Sequence, residues 1–158
     1  RLRSRGLGDV YKRQELWSAN LYLSMSFYLK KEGFSGMANW MRKQSAKEVG
    51  HACTIAEYMV KREATPKVDK VDVVPQGWGN SLEVFEHALE HEKHISKLID
   101  ELVYLASEEK DNATQDFLWK FVREQVEEEA GVQNIVNLLK KAGDSGILFI
   151  DAKLDGCK

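Results

Sequence analysis

Apolar residues recur at spacings of three and four along four long stretches, residues 15–31, 36–63, 81–108 and 114–141, and each reads as an amphipathic helix. Ser81 and Thr114 stand where N-caps belong. The breaks at 32–35, around Gly33, and at 109–113 are short, and short breaks give antiparallel hairpins. The middle connection, residues 65–80, holds both prolines and two glycines in 16 residues and reaches about 50 Å when extended. The second helix is about 40 Å long, so this crossover can return along the bundle and start the third helix parallel to the second. A shorter amphipathic element is predicted over 146–154, after Gly143. The fold class is all-α, a four-helix bundle with a long crossover and a short fifth helix.

The inward seams have one kind of interruption. Met41, Gln44, Glu48, Ile55 and Tyr58 form the seam of the second helix, with His51 three residues after Glu48 on the same face. The third runs Phe85, Ala88, Glu92, Ile95, Ile99, Leu102, and the fourth Leu118, Phe121, Gln125, Glu128, Val132, Ile135, Leu139. The first gives Glu15, Ala19, Tyr22, Ser26, Leu29. Counted from Phe34, Glu15 lies 19 residues before, with Glu48 and His51 14 and 17 after; counted from Lys110, Glu92 lies 18 before, with Gln125 and Glu128 15 and 18 after. At about 1.5 Å per residue these positions fall at one level of the bundle.

Four carboxylates and an imidazole in a bundle core would cost several kcal/mol per uncompensated charge. Two divalent metals would compensate them, and a donor set of oxygens with one nitrogen suits iron or manganese. The competing explanation is a buried network that shares protons. One Glu-x-x-His pair decides little, since it arises often by chance; polar residues at one level of all four seams carry the metal reading.

Composition narrows the remaining classes. The 158 residues are 43% hydrophobic and 30% charged, enough for one domain with a real core. A net charge of -2 speaks against nucleic acid bound by overall charge, and no apolar run approaches the ~18 residues of a membrane span. Cys53 and Cys157 make no spaced motif, and with no secretory signal pattern a cytoplasmic location is expected.

ELWSANLY, KEVGH and REQVEEE, around the first-, second- and fourth-helix positions, resemble the bacterial non-haem ferritins, and GILFIDAKL resembles their fifth helix. The resemblance runs from Glu15 to the C-terminus. It implies an iron-storage ferroxidase, oxidising Fe(II) with O2 or H2O2 and keeping ferric mineral in a homo-oligomeric 24-mer shell, without haem. It also implies roles: Glu48 bridging two irons, Glu15 and His51 completing the first, Glu92 and Glu128 holding the second. Gln125 would lie beside the pair, and Tyr22 would hydrogen-bond a ligand or supply an electron. The fourth helix carries Gln125-Val126-Glu127-Glu128 and not a second Glu-x-x-His, which separates the chain from bacterioferritins and rubrerythrins. Lys47 stands where the family places a glutamate of a third iron site, so Glu124, Glu127 and Glu128 would hold a third ion weakly.

Residues 1–14 read differently. They are basic, hold two glycines and show no helical stripe, and DVYKRQ at 9–14 resembles an in-frame translation of a sequencing-library adapter. A non-native leader, mobile or poorly packed, is therefore expected ahead of a domain over 15–158. His87, His91 and His94 share another face of the third helix, off the Glu92 seam, and are expected on a solvated, partly interfacial surface ahead of a surface metal site. The alternatives to iron storage are a di-iron oxidase or peroxidase acting on another substrate, and a structural bundle whose polar layer fixes register.

Overall fold

A computed structural model describes residues 3–156, and among these five helices and no strand occur: α1 (Arg3–Lys31), α2 (Ser35–Lys61), α3 (Ser81–Glu108), α4 (Asn112–Lys141) and α5 (Asp144–Asp155). α1 packs along α2 and α3 along α4, α1 also meets α3, and α5 lies against α2 and the end of α4.

Two apolar clusters fill the bundle, and their order along each helix gives the topology. One holds Met25, Leu29, Met37, Met41, Val84, Phe85, Val132 and Val136; the other Tyr11, Ile55, Met59, Ile95, Ile99, Leu118 and Phe121. α2 and α3 both run from the first cluster to the second, whereas α1 and α4 run from the second to the first. The long crossover therefore joins parallel helices, and no simple up-down-up-down order is present. Between the clusters each of α1–α4 presents a buried polar residue: Glu15, Glu48, Glu92 and Gln125.

Helix ends follow local chemistry. Asn80, not Ser81, caps α3: its side chain accepts from Glu83 N while the Glu83 carboxylate accepts from Asn80 N, a reciprocal capping box. Asp111, not Thr114, caps α4 by accepting from Thr114 N and the Thr114 hydroxyl. Both expected caps sit within the first turn because a serine or threonine there resembles a cap in sequence. α2 has no side-chain cap at Phe34; its N-terminus is capped across the fold, Met37 N donating to Asp151 Oδ1 of α5 at 2.8 Å. Gly36 allows that contact, since a Cβ there would lie 1.8 Å from the Asp151 carbonyl oxygen.

The expected break at Glu15 is absent. α1 continues back to Arg3, and the helix is packed, with Tyr11 2% and Lys12 4% exposed. The Lys12 ammonium pairs with Asp9 at 3.0 Å and donates to the Lys67 carbonyl, while Lys67 N donates to Asp9 Oδ1 at 3.1 Å. Gly8 lies against Met59, where a Cβ would approach Sδ to 3.1 Å. The stripe Gly8, Tyr11, Lys12, Glu15 has helical spacing, but a glycine and a lysine in inward places disguise it. Cys53 is exposed; Cys157 lies outside the described residues.

Candidate metal centre

Glu15 on α1 and Glu48 and His51 on α2 bring one donor atom each within 4.8 Å of one another, the one such three-residue group among the described residues. His51 Nδ1 lies 3.1 Å from Glu15 Oε2 and 3.3 Å from Glu48 Oε2, and Nε2 lies 3.1 Å from Glu124 Oε2. Burial alone would lower the His51 pKa, but Glu15 and Glu48 outweigh it and raise it to about 10. Without a metal the imidazolium is thus the cation of this cluster. Phe121 meets the ring edge-on at 5.6 Å and limits its rotation.

Glu92 completes the layer from α3. Tyr22, fully buried on α1, donates its hydroxyl to Glu92 Oε1, and Gln125 Nε2 on α4 donates to Glu92 Oε2 at 3.0 Å. Desolvation first, then the Glu48 charge, raises Glu92 to about 7 despite both hydrogen bonds. Glu48 is raised as well, by burial and then by its neighbour Glu15. The carboxylates are therefore crowded beyond what their donors neutralise.

Glu128 faces two groups from α2: Lys47 Nζ at 2.6 Å from Oε1 and Gln44 Nε2 at 3.2 Å from Oε2. Glu124 reaches His51, whereas Glu127 is exposed. Of the nine residues singled out in the sequence, Glu15, Glu48 and His51 form the tight group, Tyr22, Glu92 and Gln125 a linked set beside it, and Glu124 and Glu128 its edge.

The donor chemistry fits a hard or borderline divalent ion. Glu15 Oε1 is buried without a hydrogen-bond partner, a cost that a cation would remove. Glu124 Oε2 is within ion-pair distance of His51 but not aligned as a hydrogen-bond acceptor, so it too has unused capacity. One residue of the site was missed in the sequence: the Tyr11 phenol lies against Glu15, and its pKa is raised well above 10.0 by burial and then by that carboxylate. Its position one helical turn before Glu15 was the available signal.

The histidine face also differs from expectation. His87 and His94 are exposed, but His91 is 8% exposed, with Nε2 2.6 Å from Ser18 Oγ and its ring 5.2 Å from that of Trp17. Burial and then the neighbouring His94 lower its pKa to about 4, so the ring is neutral.

Comparison with known proteins gives one consistent outcome. The ferritin-like domain family matches residues 13–142. A bacterial non-heme ferritin of Bacteroides fragilis is 66% identical over 140 residues, 89% of this chain and 88% of that protein. One from Campylobacter jejuni is 34% identical over 84% of this chain and 80% of that protein. Among solved structures, an open pore ferritin of Archaeoglobus fulgidus superposes with a TM-score of 0.96 at 38% identity, covering 99% of this chain and 98% of that one.

Proposed function

The chain belongs to the ferritin-like family, and from that premise we propose that it is an iron-storage protein whose bundle centre oxidises Fe(II) before the iron enters a mineral. The observation that supports this best is the convergence of Glu15, Glu48 and His51 within 4.8 Å, beside Glu92, between two apolar clusters.

Iron is the substrate in this reading. Glu15 and His51 take one ferrous ion, Glu92 and Glu128 a second, and Glu48 lies between, with Gln125 and Tyr22 holding Glu92 in place. Two ferrous ions give two electrons to O2, which with two protons becomes hydrogen peroxide; peroxide in turn accepts two electrons from a further pair. Binding displaces protons from the raised carboxylates and from His51, so the empty site stays near neutral and the loaded site gains its anionic ligands as the cations arrive. Lys47 already supplies a positive charge at Glu128, which weakens a third ion at Glu124, Glu127 and Glu128. Storage requires a closed homo-oligomer, for which we propose a 24-mer shell free of haem and located in the cytoplasm. No helix among the described residues is long and apolar enough to cross a membrane.

Aerobic loading with ferrous iron tests this directly. A large assembly should retain many irons per chain, whereas iron retained at two or fewer per chain by a small oligomer would replace storage with a soluble di-iron oxidase.

A further inference from the structure

A groove of about 690 Å³ opens between α1, α3 and the crossover, apart from the carboxylate layer, and three histidines line it: His87, His91 and His94, with Glu90 beside them. On α3 these four stand at spacings 0, 3, 4 and 7, which places them on one helical face with successive Cβ atoms about 5–6 Å apart.

His91 is held in an orientation suited to metal ligation. Ser18 Oγ donates its single proton to the Gln14 carbonyl at 2.8 Å, so at the 2.6 Å contact His91 Nε2 is the donor. In the neutral ring the lone pair is then on Nδ1. A metal-binding histidine has this arrangement, one nitrogen fixed by a hydrogen bond to the protein and the other left bare. Trp17 against the ring, at 5.2 Å between centroids, restricts its rotation.

We propose that His91, His87 and His94, with Glu90 alongside, form a second metal site in this groove, for a borderline divalent transition ion such as Zn(II) or Co(II). Imidazole nitrogens with one carboxylate favour these ions over Mg(II) or Ca(II), which prefer all-oxygen sites. The site closes on binding: the His91 and His94 rings are 6.5 Å apart between centroids, and the exposed His87 and His94 side chains turn inward to meet a ligand already fixed at His91.

The test is calorimetric titration of the iron-free protein with Zn(II). His51→Ala weakens the bundle centre, and in that background one Zn(II) per chain should still bind. Adding His87→Gln and His94→Gln, both at exposed positions, should lower its affinity at least tenfold. Unchanged Zn(II) affinity, or no Zn(II) bound by His51→Ala, overturns the site. The His87→Gln/His94→Gln protein with His51 intact should oxidise ferrous iron at the parent initial rate; a loss of oxidation comparable to that of His51→Ala would make the groove part of the bundle centre and overturn its independence.

Discussion

In the proposed centre, Glu48 sets function against stability at a single residue. Glu48 is 4% exposed, in contact with His51 and beside Glu15, and without iron its carboxyl is held above its ordinary pKa by burial and by that neighbour, a cost the folded chain carries. Glu48→Ala should therefore change iron-free stability by less than the ~2–5 kcal/mol usual for truncating a large core side chain, since removing a buried polar carboxyl offsets the cavity. The same change removes the proposed shared ligand, and the initial rate of ferrous oxidation should fall at least tenfold. Paired melting and oxidation measurements decide between this centre and a structural network, which would give the reverse pattern. Tyr11→Phe is a finer probe, because it keeps the ring against Phe121 and removes only the hydroxyl near Glu15. It should alter oxidation by a few-fold and stability by about 1 kcal/mol; a rate and melting temperature identical to the parent would leave the phenol without a role. The inward places of Glu48 and Glu92 were legible because an acid stands out in an apolar seam. Tyr11 was not, because an inward aromatic next to a charged, glycine-containing stretch carries no such contrast.

Among the elements, the hairpins and the crossover followed from break length and periodicity, whereas the helix ends depended on contacts that sequence spacing does not specify. The α3–α4 turn is the clearest case. Lys110 adopts φ 57°, Asp111 N donates to the Ala106 carbonyl at 2.9 Å to close α3, and the Asp111 side chain then caps α4 while pairing with Arg62 at 3.1 Å. Burial alone would raise the Asp111 pKa, but the Thr114 hydroxyl and N–H, then Arg62, hold it below its ordinary 3.8. The unfolded chain therefore binds the proton more readily. This contribution is present above about pH 4 and is lost as pH falls through the depressed folded value. Asp111→Ala should cost about 1–2 kcal/mol at pH 7 in urea unfolding of the iron-free protein, and the gap from the parent should narrow below pH 3.8. A gap constant down to pH 3 would assign the loss to packing and not to the charged cap. The α1 start was illegible for a related reason: Lys12 is inward only because the crossover brings the Lys67 carbonyl and holds Asp9 beside it.

For the whole molecule, the question is how a bundle that can bind iron becomes part of a container, and α5 is the element to test. Ile150 is buried against the bundle with Ile147 and Leu154 beside it, while Leu148 and Phe149 remain 64% and 71% exposed. A fifth helix with apolar residues on both sides is consistent with a second surface in the assembly. Its seat depends on Gly36: a Cβ there would meet the backbone of Asp151 at 1.8 and 2.8 Å and Asp155 N at 3.0 Å. No rotamer change relieves backbone contacts, so Gly36→Ala must displace α5 and with it the Asp151 cap on Met37 N. The carboxylate layer begins 12 residues further along α2, at Glu48, about 18 Å away. Gly36→Ala should thus leave far-UV helicity nearly unchanged and the initial ferrous oxidation rate within about twofold, while reducing the mass of the assembly and the iron retained per chain. Light scattering and iron retention on one preparation read both. A full-size, iron-retaining assembly from Gly36→Ala would show that the position of α5 does not control closure, whereas loss of oxidation together with assembly would couple the bundle centre to the shell more tightly than the apolar cluster and the 11 residues between Gly36 and Glu48 imply.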